Sequence, residues 1–295
     1  MASSTNHHPS SSGLATISVT PDIRIFYDVT PPLPVHPQRP ILVLSNSLAA
    51  TTALWDDFVG AFANTHTIVR YDARFHGASP LSHNADFDYT DGIKMKDLAD
   101  DVIALLDHLK IQSPVEAFIG LSIGAGVGVV LASQYPSRFN RFVIVGTRSH
   151  SAPGDAERFQ QRIESINSQG VQAQAEQSIQ RWFSGEWILA NPERATAVVD
   201  MVASTSVQGF TASVGALRTL DLRGNIANIK EAGHGKKLLF VVGEKDAPLV
   251  QEETRWLAAK AGSEVIVIPG AGHIVNVEQP GKFHQVVQAY IQQSL

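Results

Sequence analysis

Cysteine is absent from all 295 residues, which excludes disulfides, thiolate nucleophiles and Cys-ligated metal in one step. No apolar run reaches the roughly 18 residues that a membrane-spanning helix needs. There is no excess of positive charge either. Lys and Arg number 23 against 28 Asp and Glu, a formal net charge of −5, so nothing argues electrostatically for nucleic acid or an anionic membrane surface. The opening "MASSTNHHPSSSG" has neither a basic nor an apolar segment, so residues 1–14 read as a polar, disordered tail and not as a secretory leader. A cytoplasmic location fits these absences, and a homodimer is left as an open arrangement.

What is present is an ordinary hydrophobic share of 44%, enough over this length for one large α/β domain with an insertion, or for two small domains. "ISVTPDIRIFYDV" (17–29) reads as a hairpin around a Pro-Asp turn, followed by the proline-rich connector "PPLPVHPQRP". Continuous apolar runs then recur: "ILVLS" (41–45), "HTIVRYD" (66–72), "VEAFIGLS" (115–122), "FNRFVIVGT" (139–147), "KLLFVVGE" (237–244) and "EVIVIPG" (264–270). Such runs fit strands covered on both faces of a parallel sheet. In "MKDLADDVIALLDHLK", Leu98, Val102, Leu105 and Leu109 form one helical stripe, and "KFHQVVQAYIQQ" repeats the pattern at the end. Strands alternating with helices imply right-handed βαβ units. The alternation breaks over 149–220, which is helical and Gln/Ala-rich. A helical insertion there predicts a cap over the carboxyl edge of the sheet, where such folds bind ligands.

"FIGLSIGAG" (118–126) places Ser122 between glycines directly after a strand. A phosphate-binding loop is one reading. Gly124, Gly126 and Gly128 miss the G-x-G-x-x-G spacing, however, and the next strand ends in Thr147, Arg148 and Ser149 where that fingerprint wants an acid. A nucleophile elbow, G-x-S-x-G between strand and helix, fits Gly120 to Gly124. A hydrolase of this type orders its triad Ser, acid, His, with the acid and the base at strand ends. Asp246 follows "LLFVVGE", 124 residues after Ser122, and His273 follows "VIVIPGAG" after 27 more. Asp246 would then hold the His273 imidazole in the required tautomer, and His273 would take the Ser122 proton. Taken singly, each is more ordinarily a cap, loop or surface residue. Three in the right order at strand ends make a specific constellation. The oxyanion hole then uses the N–H of Ile123 and one from the loop "SNSLAATTALW", for which Ser47 is the choice against its alternative as a plain polar loop residue.

"LVLSNSLAATTALWD", "RYDARFHGAS", "GLSIGAGVG", "RWF" at 181–183, "ALRTLDLRGNIANI" at 216–229 and "GAGHIVNVEQP" together make the chain resemble the α/β-hydrolase family, and within it the 3-oxoadipate enol-lactonases, from residue 15 to the end. The resemblance implies an α/β-hydrolase fold, a mostly parallel doubly wound sheet with an inserted helical cap. The core would be 15–148 and 221–295 and the cap 149–220. It implies Ser122 as nucleophile, Asp246 as acid, His273 as base, Ser47 and Ile123 at the oxyanion hole, and Trp182 lining the pocket. The implied reaction opens a lactone or ester through an acyl-enzyme, with no cofactor and no metal. A substrate of the 3-oxoadipate type carries a free carboxylate. Arg148 is expected to bind it, the alternative being an arginine paired with a cap acid, and Arg74 lies on a neighbouring loop. Phe75 stands where the family has glycine and loads a ring beneath the cap. Rival functions are another ester, lactone or C–C bond hydrolase on the same fold, a small-molecule receptor that keeps the fold, and the nucleotide-dependent enzyme that the glycine spacing disfavours.

Overall fold

The apolar runs become strands β3 (Ile41–Ser45), β4 (Thr67–Tyr71), β5 (Val115–Leu121), β6 (Phe139–Val145), β7 (Leu238–Gly243) and β8 (Glu264–Ile268). The computed structural model describes residues 8–19, 22–33 and 39–294. Ahead of these strands, β1 (Ser11–Val19) and β2 (Asp22–Thr30) pair as an antiparallel hairpin, and β2 runs antiparallel to β4. The sheet order is β1-β2-β4-β3-β5-β6-β7-β8, parallel from β4 onward. The interior strands β5, β6 and β7 are buried almost throughout, as continuous apolar sequence requires of strands covered on both faces.

One expectation is corrected here. Residues 11–14 are strand and not tail, with Ser11 opposite Val29 and Leu14 opposite Phe26. The partner strand supplies their main-chain hydrogen bonds, and a Ser-rich composition does not register that pairing. Thr20 and Pro21 of the expected turn, residues 34–38 of the connector and residues 1–7 lie outside the described residues.

Helices α1 (Asp56–Phe62), α2 (Met95–His108) and α3 (Ile123–Gln134) follow β3, β4 and β5. The chain leaves the sheet after β6 for α4 (Asp155–Gln169), α5 (Val171–Trp182), α6 (Gly185–Ala190), α7 (Pro192–Ala203) and α8 (Val207–Arg218). Exit and return are joined. The Ser151 N–H donates to the Leu220 carbonyl at 2.8 Å and the Leu222 N–H to the Ser149 carbonyl at 2.7 Å, around an antiparallel bridge between His150 and Asp221. Helix α9 (Arg223–Glu231) then packs back against α3 and α10 (Pro248–Ala261), and α11 (Val275–Glu278) and α12 (Pro280–Ile291) close the chain.

Phe75 is buried at φ +67°, in the left-handed region that favours glycine. Its ring meets Phe87 and Tyr89 at centroid distances of 5.2 and 5.0 Å, so aromatic packing offsets the backbone cost. No helix among the described residues is long and apolar enough to cross a membrane.

Candidate active site

Ser122 occupies the single residue between β5 and α3, at φ 60° and ψ −113°. Its own N–H still donates to the Val145 carbonyl at 2.8 Å, so the sheet holds the residue while the chain reverses into the helix. For a residue with a side chain this backbone costs about 1–3 kcal/mol. The flanking glycines make the turn feasible. A Cβ on Gly120 would overlap the Gly124 carbonyl oxygen, and one on Gly124 would lie 2.7 Å from the Ser45 carbonyl oxygen and 2.8 Å from that of Asn46. Ile123 opens α3, so its N–H is one of the helix's free N-terminal donors, at the positive end of the helix dipole.

Asp246 and His273 lie in the loops after β7 and β8. The His273 Nδ1 and Asp246 Oδ2 are 2.8 Å apart, and the second oxygen, Oδ1, accepts from the Ala247 N–H at 2.7 Å. With Nδ1 bound to the carboxylate, Nε2 is the ring atom free to exchange a proton. Burial alone would lower the His273 pKa, but the charge of Asp246 and the hydrogen bond to it outweigh burial and raise it. Gly146, at φ +58° after β6, makes room for the pair: a Cβ there would sit 3.2 Å from Asp246 Oδ2 and 3.4 Å from His273 Nδ1.

The Ser-Asn-Ser loop after β3 is braced by its first two side chains. The Ser45 and Tyr71 hydroxyls share a hydrogen bond of 2.7 Å. Asn46 donates through Nδ2 to the Tyr71 carbonyl and accepts from Trp55 Nε1, both at 2.9 Å. Ser47 is thereby left facing a cavity of about 220 Å³ that Ser122, His273, Arg148 and Trp182 also line. Asp246 stands behind His273. A strained serine that opens onto a helix N-terminus and an imidazole locked on a carboxylate can perform acyl transfer.

Two expected residues stand differently. Arg148 reaches the cavity wall, but its Nη1 is 2.7 Å from Oδ2 of the fully buried Asp155. Asp155 also holds Arg158 and, through Oδ2, the Ala152 N–H at 2.7 Å, so Arg148 is already ion-paired to a carboxylate of the insertion that it shares with Arg158. Arg74 does not line the cavity. It turns into the core and grips Asp101 with two nitrogens, one of them at 2.7 Å, because a guanidinium buried at that depth requires a carboxylate.

A family model described as the alpha/beta hydrolase fold matches residues 40–280. The chain belongs to the α/β-hydrolase family. As a member, it is 30% identical over 251 residues to 3-oxoadipate enol-lactonase 2 of Acinetobacter baylyi, covering 85% of this chain and 88% of the relative. It is 26% identical over 260 residues to the putative carbamate hydrolase RutD of Pseudomonas syringae, covering 87% and 95%. Among solved structures, the enol-lactonase from Burkholderia xenovorans superposes with a TM-score of 0.82 at 25% identity, over 95% of this chain and all of that one.

Other site residues of this α/β-hydrolase escaped the sequence reading. Arg162 and Arg181 line the cavity from α4 and α5. Glu278, buried on α11, accepts the Gly272 N–H at 2.6 Å through one oxygen and the Ser184 N–H at 3.0 Å through the other. The His273 N–H donates to the Trp182 carbonyl at 2.7 Å. The loop that carries His273 is thus fastened to the helical insertion at two points. Glu278 was within reach of the sequence: it belongs to "GAGHIVNVEQP", five residues past the histidine.

Proposed function

We propose that this protein hydrolyses a lactone or carboxylic ester through an acyl-enzyme on Ser122, with a carboxylated lactone of the 3-oxoadipate enol-lactone type as its substrate. The observation that carries this reading is the shared cavity. It joins a serine on a strained turn to a histidine held by an aspartate, and among the described residues it is lined by three arginines and no carboxylate.

Ser122 Oγ attacks the lactone carbonyl as His273 takes its proton. The oxyanion forms against the Ile123 N–H and the Ser47 loop, where each donor is worth about 10²–10³ in rate. Collapse breaks the ring C–O bond, and the leaving oxygen, still tethered to the acyl chain, takes the proton held on His273 and leaves as an enol, which returns the imidazole to its neutral form. His273 then draws a proton from water, which attacks the ester carbonyl and releases Ser122. Residues 149–220 act as the cap over this site, and Trp182 forms part of its wall. The enol-lactonase relatives support the substrate class.

Hydrolysis rates for carboxylated enol-lactones and for simple p-nitrophenyl esters, with Ser122→Ala as the blank, test the proposal. The expected result is a strong preference for the lactones that vanishes in the blank. Full lactone turnover by Ser122→Ala would end it.

A further inference from the structure

Arg148 and Arg158 share Asp155, but Arg162 and Arg181 have no carboxylate within ion-pair distance among the described residues. Their partners are neutral. With the buried Gln174 amide turned to satisfy its neighbours, its oxygen accepts from Arg181 Nη2 at 2.9 Å and from Arg162 Nη2 and Nε at 3.1 and 3.2 Å. Arg181 Nη2 also donates to the Ser178 hydroxyl at 2.8 Å. Two guanidinium groups therefore converge on one amide oxygen, an acceptor that brings no negative charge.

The pair is held in place, which favours a ligand that arrives from solution. The Arg162 guanidinium lies 5.8 Å from the Phe159 ring centroid and 5.2 Å from that of Phe210. Burial first, then the charges of Arg181 and Arg158, bring its pKa down to about 10, so it remains a cation at neutral pH. Both arginines line the cavity that holds Ser122 and His273, and both also line a second cavity of about 480 Å³ between α4 and α5. They form the wall common to the two spaces.

We propose that Arg162 and Arg181, and not Arg148, bind the carboxylate of the substrate, and that this pair sets the enzyme's selectivity for anionic over neutral lactones. The proposal rests on the acyl-enzyme reading above and assigns the recognition site within it. A substrate carboxylate takes the place among the two guanidinium groups that the Gln174 oxygen fills only partly, and the lactone ring extends toward Ser122. Gln174 and Ser178 orient the arginines without neutralising them.

The test is the ratio of kcat/KM for a carboxylated lactone to that for its methyl ester. Arg162→Gln and Arg181→Gln are each expected to lower the ratio by about 10- to 100-fold, the usual loss when a charge-assisted hydrogen bond is removed. Arg181 is solvent-exposed at its rim, so that variant keeps the test intact if Arg162→Gln fails to fold. Gln174→Glu, nearly isosteric, places a carboxylate between the arginines and is expected to lower the ratio while raising thermal stability. Arg148→Gln is expected to change both substrates alike. A ratio unmoved by Arg181→Gln and Gln174→Glu, or one that collapses in Arg148→Gln instead, overturns the assignment. Either result leaves the acyl-enzyme reading standing, because that reading is tested separately, by whether Ser122→Ala abolishes lactone turnover.

Discussion

The carboxyl edge of the sheet and the helical insertion face the same cavity but are specified in different ways. At the sheet edge, position follows from chain order: Ser122 comes one residue after β5, Asp246 three after β7 and His273 five after β8. Neighbouring strands lie about 4.8 Å apart, so residues just past their ends meet with little left to adjust. In the insertion, Arg162 sits midway along α4 and Arg181 near the end of α5, and they meet only because of how those helices pack. In the proposed function, the chemistry belongs to strand ends and the recognition to helix packing. One part of a site can therefore be read where the other cannot.

Three substitutions probe the boundary between these regions. The largest effect is expected from Asp246→Asn, which touches only the sheet edge: kcat falls by about 10⁴, as expected when the imidazole loses its orienting carboxylate. The pH profile gives the sign. Asp246 raises the His273 pKa, so the acid limb of kcat/KM in the unmodified enzyme lies above the ordinary histidine value near 6.5, with activity present above it and lost below. Removing that charge leaves burial alone, and the limb moves below 6.5. Glu278→Ala crosses the boundary, since it leaves the Gly272 and Ser184 N–H groups without their carboxylate partner and removes one of the two points that fasten the His273 loop to the insertion. A misplacement of about 1 Å costs roughly 10² in rate, so kcat is expected to drop 10- to 100-fold with a smaller change in KM. Equal kcat for Glu278→Ala and the unmodified enzyme would mean that the two regions are not coupled. Phe75→Gly has the smallest expected effect on turnover. It relieves a left-handed backbone worth about 1 kcal/mol but deletes a buried ring worth about 3–5 kcal/mol, so calorimetry should show a net loss of about 2–4 kcal/mol with kcat nearly unchanged.

The same contrast explains what the sequence disclosed. Continuous apolar runs located the parallel strands, and the glycines around Ser122 marked the turn, because both patterns are local. Strand β1 reaches back to Ser11 through pairing with β2, which polar composition does not record. Arg148 and Arg74 were reasonable candidates for a substrate carboxylate by position alone. Asp155 and Asp101 take them up, however, and those contacts span 7 and 27 residues and depend on side-chain burial. Arg162 and Arg181 were passed over because nothing in a one-dimensional pattern separates a cation with no acidic partner from a paired one.

Acid quench of a single turnover with a carboxylated enol-lactone, followed by peptide mass spectrometry, tests the central claim most directly. Ring opening keeps the leaving oxygen attached to the acyl chain, so the account predicts the mass of the whole lactone added to the peptide bearing Ser122, and no addition in Ser122→Ala. Product released at full rate with no adduct at that serine would contradict it.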